Sequence, residues 1–390
     1  MKVAVAWKWA CVLALIVDFG GGLTSVSVPV LAVHLGASPT QVGFIGAVGS
    51  ACYTFFCLTS YLWTDRWGRR NSIFLGSILV TLACLILAGV SLQSYLLPLA
   101  LMNCFLGVSY AFFWPATQAT AGVGVPPSQL ISVLRWYNLA WSGGRMVGTG
   151  IAGFLFLQHP ALPFLTAALA SGLAAFLATN PVTDQPTKQK LVDASHSSFS
   201  GASVSPLLVT SGQLGNLIRA VSVMGITVLF PKLAKTWGWA EHLVSGLLFW
   251  IFLGHTAGFF LAPYLIRNVG WSWVQGCKLV IAIMTALVGF LTSPFFLTGI
   301  FFVIGLFASW ATTLSLYLSI SSQGKSVRGS ARHEASVGAG AAGGPIIGGF
   351  LMEQFSPQVA FFLPYLLTVF LFLWDGYWLR KEERLPSLSR

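Results

Sequence analysis

The chain is 390 residues long; 56% of them are hydrophobic and only 8% charged, with a mean hydropathy of +0.79 and a formal net charge of +11. A soluble protein covers its surface with about a quarter charged residues, so this composition excludes a water-soluble globular domain and sets apolar surface against lipid. The excess positive charge does not point to nucleic acid, because the Lys and Arg residues are scattered at the ends of apolar runs rather than gathered on one polar face.

In chain order, the first apolar run follows Lys2 and Lys8 and continues past Asp18 to Val33. A secretory leader would be shorter and would end in a small-residue cleavage site, so the run reads as a first membrane span, Trp9–Val33. Runs of about 20 mostly apolar residues, the length that crosses a bilayer as a helix, recur at Val42–Trp63, Ile73–Leu92, Leu96–Gln118, Trp136–Leu157 and Pro163–Asn180. Residues Pro181–Ser205 are rich in Ser, Pro, Gln and Lys and read as a solvated linker. Six more runs follow: Pro206–Pro231, Leu243–Pro263, Trp273–Thr292, Pro294–Ile320, Ala335–Met352 and Val359–Leu379. The expected fold is an all-α membrane protein with twelve transmembrane helices in two six-helix bundles, residues 1–180 and 206–380, joined by the 181–205 cytoplasmic linker and ending in a 381–390 tail.

Orientation follows from the basic residues. With the N-terminus in the cytoplasm, sixteen of the 21 Lys and Arg residues fall on the cytoplasmic side. Only Lys232 and Lys235 fall outside, and Arg145, Arg219 and Lys278 lie within spans. This positive-inside bias predicts a multi-pass protein of the plasma (inner) membrane with both termini cytoplasmic. The six cysteines all lie in apolar runs, none at metal-ligand spacing with His; they read as small buried hydrophobes, and neither metal nor cofactor is expected. Gly324-Lys325-Ser326 lacks the earlier glycine and the preceding strand of a phosphate-binding loop. Neither His-Glu-x-x-His nor Gly-x-Ser-x-Gly occurs, so the chain does not read as an enzyme.

The two halves repeat. Gly43 and Tyr61 of the second span stand 18 apart, as do Gly246 and Tyr264 of the eighth. The fifth span carries Gly144, Gly148 and Gly153; the eleventh carries Gly340, Gly344, Pro345 and Gly348. Parallel halves joined by a linker are a transporter architecture. Glycines four residues apart let helix backbones approach closely, which predicts that the fifth and eleventh spans pack across the halves. Pro29, Pro115 and Pro345 lie inside spans, where they can kink them.

The loop after the second span reads Asp65-Arg66-Trp67-Gly68-Arg69-Arg70, a dense charge cluster that marks a turn at a membrane surface. Together with the six-plus-six spans and the glycine runs, it resembles the major facilitator superfamily over essentially the whole chain, from Trp9 to about Leu379. The family's loop pattern is Gly-x-Leu-Ala-Asp-Arg-x-Gly-Arg-Lys/Arg. Asp65, Arg66, Gly68, Arg69 and Arg70 match it, while Tyr61 stands in place of the leading Gly and Trp63 in place of Leu. The eleventh span fits the pattern Gly-x3-Gly-Pro-x2-Gly-Gly, which in the family's antiporters belongs to the fifth span; in this chain's fifth span Thr149 replaces the Pro and Ala152 a Gly. The family's intramembrane Arg of the fourth span has no counterpart, and Asn103 sits near its place. The resemblance implies alternating access about a cavity lined by the first, fourth, seventh and tenth spans. It also implies a gating role for the loop, with Asp65 near the start of the eleventh span, where a helix N-terminus favours negative charge.

Ionisable residues inside spans are functional candidates by default. Asp18 and Arg145, on spans that are neighbours in the family, are expected to form an intramembrane ion pair, either purely structural or with Asp18 as a proton acceptor. Arg219, with Gln213 and Asn216 nearby, has no acidic partner in the apolar runs of its own half. It reads as an anchor for an anionic or polar solute group, or as an Arg bonded to carbonyls or to Asp18. His255 reads as a packing residue or a proton relay, and Lys278 as a side chain snorkelling to the headgroups. Tyr110, Trp114, Trp141, Trp310 and Tyr317 offer aromatic walls for an amphipathic ligand. These readings predict a monomeric secondary transporter, proton-coupled and efflux-type, that moves a small-molecule solute in contact with membrane lipid and without nucleic acid. Uptake of an anionic or polar metabolite is one alternative; a transporter-derived sensor or assembly protein that moves nothing is the other.

Overall fold

A computed structural model describes residues 3–122, 125, 127–179, 206–265, 271–321 and 326–384. Among them are twelve α-helices: α1 (Val3–His34), α2 (Pro39–Trp67), α3 (Arg69–Val90), α4 (Leu96–Gly122), α5 (Pro127–Gln158), α6 (Leu162–Ala178), α7 (Pro206–Thr236), α8 (Glu241–Leu265), α9 (Trp271–Val288), α10 (Pro294–Ser321), α11 (Ser326–Gln354) and α12 (Pro357–Arg384). Eight of them, α1–α4, α7, α8, α10 and α12, are long and apolar enough to cross a membrane, and α6 and α9 are shorter apolar helices. Leu169, Phe176, Phe295 and Leu373 are each at least 71% exposed. In water such side chains would form an aggregation surface; against hydrocarbon they match their solvent, while the helix satisfies its own backbone.

The turns carry the local signals. Ser38 caps α2, with Gln41 completing a capping box and Pro39 in the first turn. Gly68 separates α2 from α3 at φ +82°, a backbone conformation that a side chain would strain, so the charged loop turns on the one residue that tolerates it. Pro29, Pro115 and Pro345 lie inside α1, α4 and α11, each of which continues through its proline.

Packing follows one scheme twice. In the first six helices α1 packs on α5, α6 and α4, α2 on α4, and α3 on α4 and α6; in the last six, α7 packs on α11, α12 and α10, α8 on α10, and α9 on α10 and α12. The two sets meet mainly through α2 against α11 and α5 against α8, with α1 and α2 also touching α7.

α5 and α11 do pack across the two sets, on α8 and α2, but most of the motif glycines face elsewhere. A side chain at Gly144 or Gly148 would overlap the carbonyls of Leu15 and Phe19 on α1, and one at Gly340 or Gly344 would come within 2.6 Å of the carbonyls of Leu217 and Val221 on α7. These glycines therefore bind α5 and α11 to the first helix of their own set, and Gly348 faces Leu229 of α7 in the same way. The contacts across the sets use further glycines of the same runs together with Gly43: Gly43 against the carbonyl of Pro345 and Gly349 against that of Pro39 for α2–α11, and Gly153 against the carbonyl of Glu241 for α5–α8. Four-residue spacing marks a close helix contact; it does not say which of two neighbouring helices makes it.

Several boundaries also differ. α5 begins at Pro127 rather than Trp136, and α11 at Ser326 rather than Ala335, because polar residues that end an apolar run do not end a helix. α12 extends to Arg384, so the start of the expected tail is helical. The 181–205 linker lies outside the described residues.

Candidate solute-binding cavity

A cavity of about 300 Å³ lies at the centre of the molecule, lined by α1, α2, α4, α5, α7, α8, α10 and α11. It extends from Pro29 of α1 and Val228 of α7 to Gln118 of α4 and Glu334 of α11, the latter two near the end where most of the basic residues lie. At the opposite end the two helix sets are pinned together. Glu353 at the end of α11 accepts hydrogen bonds from the Ser38 hydroxyl (2.7 Å) and the Thr40 N–H (2.9 Å), so a carboxylate sits on the N-terminus of α2. Lys232 Nζ donates to the carbonyl of Ala37 at 2.7 Å, and His34 Nε2 stands 3.3 Å from Glu241 Oε1.

Asp18 and Arg145 sit near the middle of α1 and α5 and form the expected ion pair in two-pronged geometry. Arg145 Nε donates to Asp18 Oδ2 at 2.9 Å and Nη2 to Oδ1 at 2.5 Å, with Asp18 1% exposed. The guanidinium also lies 5.8 Å from the ring centre of Phe252 on α8. The pair can form because the glycine contacts above bring α1 and α5 together; a side chain at Gly21 would meet Asp18 Oδ1 at 2.7 Å. With each carboxylate oxygen held by the guanidinium, the two charges neutralise one another.

Arg219 lines the same cavity from α7. Its Nε donates to Asn216 Oδ1 at 2.8 Å, and Asn216 is held in turn by Ser336 Oγ at 3.0 Å, with His333 Nδ1 at 3.4 Å and Ser315 Oγ beyond it. Asn216 is therefore a buried support for Arg219 rather than a cavity wall, and Gln213 is not among the lining residues. Asn103 lines the cavity, but its amide donates to the Ile45 carbonyl at 2.6 Å and fastens α4 to α2. His255, 1% exposed, borders the cavity among Trp141, Phe252 and Phe259, with no hydrogen-bond partner on either ring nitrogen among the described residues. Tyr110, Trp114 and Trp141 are cavity residues. Trp310 instead packs on Trp273 and Phe307 and donates to the Gly258 carbonyl, and the Tyr317 side chain lies outside the described residues.

Sequence reasoning missed two acidic residues. Glu334, one residue before the expected eleventh run, lies within α11 and lines the cavity. Tyr53 OH of α2 donates to its Oε2 at 3.3 Å and Gln118 Nε2 of α4 to its Oε1 at 3.4 Å. The signal was periodic: Glu334, Val337, Gly338 and Ala341 share one helical face, and all four line the cavity. Asp375 lies inside the twelfth apolar run, in α12. Lys278 does not snorkel; it is fully buried and donates to Asp375 Oδ2 at 2.5 Å and to Ser211 Oγ at 2.8 Å, with Gln275 Nε2 2.7 Å from the same carboxylate oxygen. This second ion pair ties α7, α9 and α12 together, away from the cavity.

Of the charged loop, Arg66 is exposed and Arg70 Nη2 donates to the Thr179 carbonyl at the end of α6. The side chains of Tyr61 and Asp65 lie outside the described residues.

Comparison with known proteins agrees with this architecture. The chain is 30% identical over 158 residues to Multidrug resistance protein 1 of Bacillus subtilis (strain 168), a match covering 40% of this chain and 40% of that protein. Two solved folds superpose on it: the nucleoside transporter NupG (TM-score 0.73, 11% identity, 95% of this chain and 98% of that one) and a bacterial homolog of the human lysosomal transporter Spinster in an inward-facing, unoccupied conformation (TM-score 0.66, 16% identity, 91% and 83%). The Major Facilitator Superfamily pattern matches residues 10–331 and 212–390. On that match the chain belongs to the major facilitator superfamily of membrane transporters.

Proposed function

We propose that this protein is a secondary active transporter working by alternating access. Twelve membrane-crossing helices form two six-helix bundles, 1–180 and 206–380, which rock about the central cavity and exchange a small solute against protons, with both termini in the cytoplasm. The observation that carries the reading is the cavity itself. It is bordered by the charged side chains of Asp18, Arg145, Arg219 and Glu334, the first two near the middle of their helices, between helix sets that meet through the repeated contacts α2–α11 and α5–α8. The closed contacts at Ser38–Glu353 and Lys232–Ala37 support a state shut towards the outside. Likeness to a multidrug resistance protein over two-fifths of the chain supports efflux as the direction. Arg219, whose terminal nitrogens hold no carboxylate among the described residues, supports uptake of an anionic or polar metabolite as the second reading.

Purified protein in proteoliposomes under an imposed pH gradient tests this with a panel of cationic, anionic and zwitterionic aromatic solutes. Accumulation of at least one against its gradient, collapsed by a proton ionophore, is expected. Binding without movement under any gradient would make the protein a sensor instead.

A further inference from the structure

Four charged side chains border the cavity, and they are not equivalent. Asp18 and Arg145 satisfy each other. Arg219 and Glu334 face the same space from α7 and α11, helices in direct contact, yet no ion pair joins them among the described residues. Opposite charges sharing a low-dielectric cavity attract strongly, so something must hold them apart. Neutral partners do so. Asn216 accepts from Arg219 Nε, while Tyr53 and Gln118, from α2 and α4, each donate to one oxygen of the Glu334 carboxylate. A cation site and an anion site are thus preset within one pocket, each already aimed by groups that do not neutralise it.

Two further buried polar groups point to a ligand. Tyr137 OH and both ring nitrogens of His255 lack hydrogen-bond partners among the described residues, both residues are 1% exposed, and both border the same cavity. Buried polar atoms are rarely left unpaired without cause. Between them stand Trp114, Trp141 and Phe252, flat apolar walls suited to a ring.

We infer that the transported solute is a zwitterion: an aromatic or bulky apolar body bearing a carboxylate (or comparable anion) for Arg219 and an ammonium for Glu334, of the amino-acid or short-peptide class. The inference rests on the transporter reading above but commits to a substrate class that the reading leaves open. A solute carrying only one of the two charges leaves the opposite protein charge unanswered in a desolvated site, a costly arrangement.

Thermal-shift and direct binding measurements on the purified full chain test this with matched probes: L-phenylalanine, L-tryptophan and glycyl-L-phenylalanine, each beside its N-acetyl form (anion only) and its amide (cation only). At least one zwitterion is expected to bind at least about tenfold more tightly than both of its single-charge analogues, the step expected from about one charge-assisted contact. Arg219→Gln is expected to shift preference to the amide, and Glu334→Gln to the N-acetyl form. If either variant fails to fold, the wild-type ranking still decides. An N-acetyl or amide form that binds as tightly as its zwitterion, or a panel in which nothing binds, overturns the inference. Flux in proteoliposomes keeps the two claims apart. Zwitterion binding without flux refutes transport and keeps the site, whereas flux confined to single-charge solutes refutes the zwitterion and keeps the transporter.

Discussion

Breaking the Asp18–Arg145 pair should destabilise the protein unequally, depending on which partner is removed. Losing one member of a buried ion pair costs about 3–5 kcal/mol, because the survivor stays in low dielectric. The Asp18 side chain is 1% exposed, whereas that of Arg145 is 21% exposed to the cavity. Arg145→Gln strands a carboxylate with almost no water and belongs near the upper figure, about 5 kcal/mol. Asp18→Asn strands a guanidinium that cavity water can reach and that keeps one acceptor oxygen, so it belongs near the lower, about 3 kcal/mol. Replacing both, Asp18→Leu with Arg145→Met, removes the desolvation penalty along with the attraction. Such exchanges run from neutral to about 4 kcal/mol stabilising elsewhere, so the double variant should recover at least about 3 kcal/mol relative to Arg145→Gln. Unfolding transitions of the four proteins in lipid nanodiscs give the comparison. Single variants within about 1 kcal/mol of wild type, or a double variant as unstable as the sum of the singles, would refute the argument. A double variant that is stable but transports nothing would show that the pair serves function beyond holding α1 to α5.

Gly148→Ala should cost about 1–3 kcal/mol by forcing α5 off the Phe19 carbonyl, while Gly143→Ala, with nothing within 4 Å, should be neutral or slightly stabilising in the same melts. Lys278→Met should destabilise by about 3–5 kcal/mol through the stranded Asp375, and Lys278→Met with Asp375→Leu should restore stability without changing solute affinity, since neither residue lines the cavity. Glu353→Gln should speed modification of a cysteine placed at Ser25, on the cavity wall, by a membrane-impermeant reagent added outside; an unchanged rate would show that the Ser38–Glu353 contact does not close that end. Asp65→Asn should slow flux in proteoliposomes with solute affinity kept, and unaltered flux would remove Asp65 from the gate.

The architecture was legible because lipid imposes a crude rule. A helix must stay apolar for about 20 residues, and twelve such runs became twelve helices among the described residues. The Asp18–Arg145 pair was legible because two lone opposite charges lie in the first and fifth runs, which the family resemblance makes neighbours, and each charge needs a partner in low dielectric. Glu334 was lost because it sits in the polar Ser326–Ala335 stretch, where hydropathy reads a loop and the backbone forms the first turns of α11. Asp375 and Lys278 lie 97 residues apart in sequence on α12 and α9, and only the packing of those two helices on α7 shows that one charge answers the other.

The contact that closes one end of the cavity bears on the loop at the other. Glu353 stands at the C-terminal end of α11 and lies on the N-terminus of α2, where free N–H groups and the helix dipole favour a carboxylate. α2 and α11 pack along one another, so the C-terminal end of α2 approaches the N-terminal end of α11 at the opposite face. Asp65 occupies that C-terminal end, two residues before α2 stops at Trp67. We propose that the same physics serves both faces in turn, with the Asp65 carboxylate meeting the N-terminus of α11 in the state where the Glu353 contact is open. Rocking that separates one such contact brings the other together, because both lie on the same helix pair on either side of the cavity. The Asp65→Asn and Glu353→Gln variants should therefore bias the equilibrium in opposite senses. The Ser25 cysteine reports this directly, since Glu353→Gln should raise its labelling from outside and Asp65→Asn should lower it. Shifts of the same sign in both variants would mean that the two carboxylates do not share one rocking motion.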